Sequence, residues 1–397
     1  MTLPTVPEAD DPLLPDVDRF AADHRLDEVA SAIDREARFP IDEFRALGRV
    51  GLIGLHVETA LGGRGLPVVR AAAVLHHLAR RGGTAFAKLS LQGEFSSVLA
   101  EHGSPALLER YFRPLLRGDL LVGNQVTEPG AGSDVAQLAT TVTRDGDALV
   151  LHGTKSEAAF ATRADAALVY ARDAEADDPA RSISVVVVPQ NGPGIERRRV
   201  GDLGERWMER GTVRYDGARV PLDHRIGEPG RALDYVKEEL LRDRVLLGAI
   251  YLGVARASWD DTVIYAGERR AFGAPLAVRQ GVAFPLVEDW ARLDAAWLYV
   301  RSIAARLDAG ETPIGPSALA KWLAYDAAIT ALDHAVQFHG GRGYSNELPH
   351  ERRWREVRSG GIAHGPSEVL LEVAARRLWR DRPPGGGPRP GDARRPG

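Results

Sequence analysis

Thr127-Glu128-Pro129-Gly130-Ala131-Gly132-Ser133-Asp134 divides this sequence, because the texture of the chain differs on its two sides. Upstream, from about Leu14 to Leu121, apolar residues recur at helical spacing, as in Ala71, Val74, Leu75 and Leu78, with breaks at Gly62-Gly63 and Gly82-Gly83. Downstream, from about Val122 to Glu228, short β-type runs alternate with turns: Thr141 to Thr143, Ala148 to His152, Ala167 to Tyr170, Ser184 to Val188 and Thr212 to Tyr215. Many short strands without intervening helices predict an antiparallel barrel or sandwich rather than a doubly wound sheet. From about Ala232 to Arg382 helical patterns return, with Leu246, Leu247, Ile250 and Val254 on one stripe. The expected chain is therefore mainly α with a central β domain: residues 1–121 helical, 122–231 β, 232–382 helical. A tail at 383–397, rich in Pro, Gly and Arg, has too little apolar content to build a core and reads as flexible.

The dividing loop carries chemistry as well as position. Its two glycines let backbone N–H groups approach a phosphate closely, and Ser133 adds a hydroxyl donor without charge. Taken alone, the same turn also reads as a plain interdomain loop.

Composition narrows the function classes. The 51 Lys and Arg against 55 Asp and Glu leave a net charge of −4, so no global field favours nucleic acid or an anionic membrane. There are no cysteines, which excludes disulfides, zinc-thiolate sites, iron-sulfur clusters and a cysteine nucleophile. Met1 to Asp11 lacks the basic patch and apolar run of a secretory signal, and no stretch is apolar for long enough to span a bilayer. Cytoplasmic location is the default expectation.

The octapeptide resembles the TEPxAGSD signature by which acyl-CoA dehydrogenases hold FAD, and the likeness runs in order along nearly the whole chain. Gly51-Leu52-Ile53-Gly54-Leu55 with Gly62-Gly63 resembles the family's GLxGL and GG segment, and Tyr111 to Asp119 resembles YLPxLxxGE. Asp202-Leu203-Gly204 and Val220-Pro221 are similar to its middle domain. Arg269-Arg270-Ala271-Phe272-Gly273 matches RxxFG with Gln280 following, and Gln337 to Tyr344 matches QxxGGxGY. The resemblance implies an N-terminal helical domain, a middle antiparallel β-barrel and a C-terminal four-helix bundle, assembled as a tetramer of paired dimers.

It also implies which residues meet FAD. Val126 and Thr127 would contact the pyrimidine end of the flavin, and Gly132 and Ser133 the phosphate side. Arg269 offers a permanent cation and a planar fork suited to the diphosphate, with Phe272 and Gln280 nearby in sequence. Without the following Phe272-Gly273, Arg269 would read as a surface salt bridge. Gln337, Gly340 and Gly341 belong to a loop that in the family reaches the FAD of a neighbouring subunit; a bare helix C-cap is its plain alternative. Pro366 and Glu368 complete the implied cofactor set.

Two departures stand out. Where the family commonly has GxKxWITN, this chain reads Gly153-Thr154-Lys155-Ser156-Glu157-Ala158-Ala159-Phe160. Ala159 lacks the hydroxyl expected near flavin N5. Glu157 either brings a carboxylate where an indole shields the ring, which disfavours an anionic reduced flavin, or points to solvent from a strand edge. The second departure is His364. Counting from Arg355, Ile362 and Gly365 fall on their expected places and His364 on the family's catalytic glutamate.

In the family's reaction a carboxylate removes the α-proton of an acyl thioester while hydride leaves the β-carbon for flavin N5, and the backbone N–H at the base position polarises the thioester carbonyl. His364 keeps that N–H, and imidazole itself is a base near neutrality; substrate positioning and simple packing are the other readings. Some members carry the base on a helix directly before an arginine, which here is Asp243 before Arg244. Asp243, Leu246, Leu247 and Ile250 share one helical face, so its carboxylate should have a raised pKa. Against this, an aspartate near a helix start is commonly a cap or a partner for Arg242.

The sequence therefore points to an FAD-dependent dehydrogenase that desaturates the α,β-bond of an acyl thioester on CoA or a carrier protein, passing electrons to an electron-transfer flavoprotein or oxygen. The alternatives are a flavin monooxygenase or reductase of the same fold, and a non-catalytic partner subunit of a heteromeric complex.

Overall fold

The computed structural model describes residues 11–178 and 181–380; the tail read at 383–397 lies outside them. The N-terminal region contains α1 (Leu14–Asp23), α2 (Leu26–Glu36), α3 (Ile41–Arg49), α4 (Val68–Ser90), α5 (Ser97–His102), α6 (Pro105–Leu107) and α7 (Arg113–Leu116). Strands follow: β1 (Val122–Gln125), β2 (Thr141–Asp145), β3 (Ala148–Ala158), β4 (Ala166–Asp173), β5 (Ile183–Pro189), β6 (Ile195–Arg199), β7 (Gly211–Pro221) and β8 (Arg225–Ile226). Then come α8 (Ala232–Glu268), a hairpin of β9 (Arg270–Ala271) and β10 (Ala274–Pro275), α9 (Gln280–Asp308), α10 (Ile314–Phe338), α11 (Gly341–Tyr344), α12 (His350–Arg358) and α13 (Ser367–Arg380).

The main sheet runs β6-β7-β3-β2-β4-β5-β8 with β1 also beside β4. Most pairings are antiparallel, but β4 takes both β1 (Val122↔Ala166) and β2 (Thr141↔Arg172) in parallel. The reason is burial. β4 is a continuous apolar run, and Ala166 to Tyr170 are buried on both faces, one against the sheet's own core and one against the helices. The sheet's private core contains Val142, Leu149, Leu151, Val169, Val186, Val188, Val213 and Tyr215.

The helical layers meet along α8. Val245 to Ile250 are buried around its whole circumference, as befits a helix with neighbours on all sides. It packs against α9 and α10, and α10 also packs against α13, which makes the C-terminal bundle; α4 lies along the remaining side of α8. Gly253 permits that last contact, since a Cβ there would stand 2.1 Å from the His76 carbonyl oxygen. The break expected at Gly82-Gly83 is a kink inside α4: Gly83 has φ 73, and a side chain there would meet Arg352 at 2.8 Å. Among the described residues no helix is long and apolar enough to cross a membrane.

The dividing loop is anchored by a buried ion pair. Lys155 Nζ, fully buried, donates to Glu128 Oε1 at 2.7 Å and to the Val126 carbonyl at 2.9 Å. Glu128 also accepts from the backbone N–H groups of Ala139 and Thr140. Lys155→Met would strand this carboxylate, so unfolding by denaturant should show a loss of about 3–5 kcal/mol.

Candidate active site

Asp243 and His364 are far apart in sequence, and the fold sets His364 Nδ1 3.7 Å from Asp243 Oδ2. Asp243 lies well inside α8 rather than at its start, so it caps nothing, and Arg242 pairs instead with Glu101 at 2.6 Å. Asp243 is 1% exposed and its Oδ2 has no hydrogen-bond partner within the chain. The separation from His364 exceeds a hydrogen bond.

His364 occupies the turn before α13 with φ 52, a left-handed conformation uncommon for a residue with a Cβ. Phe95 stacks on its ring, with centroids 4.9 Å apart. Lys321, from α10, donates to the carbonyl oxygens of Gly360, Ala363 and Gly365 at 2.9, 2.6 and 2.9 Å.

The electrostatics of this pocket are set by burial. Desolvation pushes the Asp243 carboxyl up to about 8; Arg242 and Arg244 oppose that push, and Glu94 adds to it. Burial likewise lifts Glu94 to about 7, and lifts Glu239, one turn before Asp243, well above the carboxylate range with Asp243 contributing. Each of these two leaves its Oε2 unpartnered. His364 is pulled below the ordinary imidazole value by burial and by the cations of Lys321, Lys88 and Arg244. A carboxyl protonated at neutral pH offers imidazolium no counter-charge, which explains why Asp243 does not reverse that shift. A third of the imidazole side chain stays open to solvent, which tempers it. Burial, Arg244 and Lys88 push Lys321 down to about 7. Its three carbonyl acceptors nevertheless use every proton of an ammonium, so the geometry favours the charged form.

The residues matched to the cofactor fall in two places. Val126 and Thr127 follow β1, half-buried, and Ser156 N–H donates to the Thr127 carbonyl at 2.9 Å. Gly132 and Ser133 are exposed, and a Cβ at Gly132 would meet nothing within 4 Å. The Ala159 carbonyl oxygen lies 3.2 Å from where a Cβ on Gly123 would stand, so Ala159 borders β1. Asn124, also on β1, donates its side-chain amide to the Phe95 carbonyl and so joins this edge to the ring stacked on His364. Pro366 is half-buried and Glu368 exposed at the start of α13. Glu157 sits in a bulge of β3 at φ 55, over half exposed, and is ion-paired with Arg210.

The second place is the far end of α8. Arg269 is exposed there and makes no ion pair among the described residues. Phe272, 96% exposed, forms the tip of the β9–β10 hairpin, and Gln280 is exposed at the start of α9. Gln337 and Gly340-Gly341 are exposed where α10 ends, brought beside α8 by the stacking of His339 on Tyr265 at 4.2 Å. Asp243 and Arg269 are both on the α8 line, and at about 1.5 Å per residue they stand on the order of 39 Å apart. One chain thus presents the two halves at separate places.

Sequence reasoning missed Lys321, Phe95, Glu94, Glu239 and Lys88. Two left signals. Lys321 interrupts the apolar run Ala318-Leu319-Ala320-Lys321-Trp322-Leu323-Ala324, and Glu239 precedes Asp243 by one turn on the same stripe.

Comparison with known proteins finds three successive family models: acyl-CoA dehydrogenase N-terminal domain over residues 8–119, middle domain over 123–218 and C-terminal domain over 230–379. The mitochondrial short-chain specific acyl-CoA dehydrogenase of Mus musculus is 32% identical, across 91% of this chain and 88% of its own. The chain belongs to the acyl-CoA dehydrogenase family. Another member, the benzylmalonyl-CoA dehydrogenase of Aromatoleum aromaticum, is 34% identical across 91% of this chain and 96% of its own. A solved structure of a probable acyl-CoA dehydrogenase from Mycobacterium abscessus superposes with a TM-score of 0.88 at 30% identity, covering 93% of this chain and 99% of that one.

As an acyl-CoA dehydrogenase family member the protein is an oxidoreductase acting on CH–CH groups, and the family's cofactor is FAD. The side chains present fit such a group: Gly132 faces open space, and among the described residues the Ser133 hydroxyl has no partner and Arg269 makes no ion pair.

Beside the Gly340 loop, His350 is 1% exposed and is pushed down to about 3 by burial, with His339 and Arg353 adding to it. Its folded pKa lies below the unfolded value of about 6.5, so its contribution is present at neutral pH and lost as pH falls from about 6.5 toward 3. Relative to wild type, His350→Phe should therefore gain up to about 1.4 kcal/mol per pH unit across that window, read from denaturation midpoints.

Proposed function

We propose that the protein is an FAD-dependent acyl-CoA dehydrogenase in which Asp243 and His364 act as one base to remove the α-proton. The approach of Nδ1 to Oδ2 at 3.7 Å carries this reading. His364, a third open, takes the proton; Asp243, buried beneath it, orients the imidazole and supplies the compensating charge when ionised. The His364 backbone N–H, which has no partner among the described residues, polarises the thioester carbonyl. When bound, FAD supplies the acceptor for the two electrons that leave with the β-hydrogen. Val126, Thr127, Gly132, Ser133, Ala159, Pro366 and Glu368 would hold it in one copy. Arg269, Phe272, Gln280, Gln337, Gly340 and Gly341 would come from a second copy, a reading that the separation along α8 supports. The reading therefore includes a homo-oligomer, a tetramer by resemblance, working in the cytoplasm. Glu157, tied to Arg210, sits at the margin of this site.

A second reading, flavin monooxygenase or reductase chemistry, is favoured by the methyl group of Ala159 near the flavin side. Anaerobic mixing with acyl-CoA thioesters separates the two. Bleaching of the oxidised flavin is expected; reduction only by an external reductant would point to the second reading. Asp243→Asn and His364→Ala should each slow bleaching by about 10²-fold or more. Because Asp243 supplies its compensating charge only when ionised and burial raises it to about 8, kcat/KM should climb as pH rises through that value, and Asp243→Asn should abolish the limb. Unchanged turnover in both variants would sink the mechanism.

A further inference from the structure

Lys321 is fully buried and has no carboxylate partner among the described residues; its three hydrogen bonds all go to carbonyl oxygens on either side of His364. An ammonium has three protons to donate, so the arrangement is complete. The shortest contact, 2.6 Å, is to the Ala363 carbonyl, which belongs to the same peptide plane as the His364 N–H. A trans peptide is planar with its C=O and N–H pointing in opposite directions. Fixing the carbonyl on Lys321 therefore aims the N–H away from α10. A cation on the carbonyl also polarises the peptide and makes its N–H a stronger donor.

We propose that Lys321 is a positioning residue that orients and polarises the Ala363–His364 peptide, so that its N–H serves as the oxyanion donor for the substrate thioester. Its contact to Gly365 holds the other side of the same turn and keeps His364 at its left-handed φ, with the ring between Phe95 and Asp243. Lys321 does not touch the reacting atoms. The inference rests on the acyl-CoA dehydrogenase reading for the oxyanion, but the peptide geometry stands apart from it.

The test uses the FAD-loaded enzyme and its Lys321→Met and Lys321→Arg variants, with flavin content checked first. With a non-reducible acyl-CoA analogue labelled at the thioester carbon, vibrational difference spectra should show the bound carbonyl at lower frequency in wild type and shifted back toward its solution value in Lys321→Met. In turnover, kcat should fall at least tenfold with KM changed less than threefold, and Lys321→Arg should recover only part, because a planar fork does not reach three convergent carbonyls. A carbonyl frequency identical in wild type and Lys321→Met overturns the proposal. If wild type neither binds nor oxidises any thioester, the functional reading fails, and the peptide is then read directly. Ala363–His364 is the chain's only Ala–His dipeptide, so carbonyl-13C alanine with 15N histidine labels that one amide. Its nitrogen shift should move in Lys321→Met, or in Lys321→Arg should the former not fold; an unmoved resonance overturns the proposal.

Discussion

Lys88 carries its charge from α4 into a space where it is 4% exposed, and Glu205 meets it at 2.6 Å from the loop between β6 and β7. Ser359, in the turn after α12, donates to the other Glu205 oxygen at 2.6 Å. A charge taken from water needs a partner of good geometry, and removing either member would leave the other stranded at a cost on the order of 3–5 kcal/mol. This single contact therefore holds together a helix, a loop of the β region and the turn that leads to His364. The same turn is gripped again by Lys321, so the segment 359–365 is pinned at both ends before any ligand arrives.

Around that turn two populations of charge oppose each other. Burial, with Lys321, Lys88 and Arg244 adding to it, pulls the His364 imidazole down, while burial raises Asp243, Glu94 and Glu239, with Glu94 adding to the push on Asp243 and Asp243 to that on Glu239. With those carboxyls raised toward their protonated form, the Lys321 and Arg244 cations leave the resting pocket leaning positive. The cations that lower His364 also favour negative charge developing nearby.

The length of α8 imposes a second constraint. One helix carries Asp243 well inside its length and leads into the Arg269 hairpin at its end, so the two lie on the order of 39 Å apart along it. Stacking of His339 on Tyr265 fixes the Gly340 loop beside that hairpin, so the distant residues form a coherent surface of their own. Phe272 at its tip is 96% exposed.

The order of helical, β and helical regions was legible in the sequence, since periodicity is a local property and each element's apolar face repeats within a few residues. So was the Thr127 loop as the boundary between helical and β regions, because a motif is a local string. The parallel attachment of β1 and β2 to β4 was not, since pairing partners are chosen by which faces are buried. Nor was the environment of Asp243. Its helical stripe announced a buried carboxylate, but whether it capped a helix or faced His364 depended on where α8 begins and how the turn before α13 folds back. Lys321 shows the limit most plainly. The sequence by itself determined that a lysine interrupts an apolar helix. Only the tertiary structure decided that three backbone carbonyls of a distant turn receive its protons, because hydrogen bonds to carbonyl oxygens leave no trace in side-chain identity.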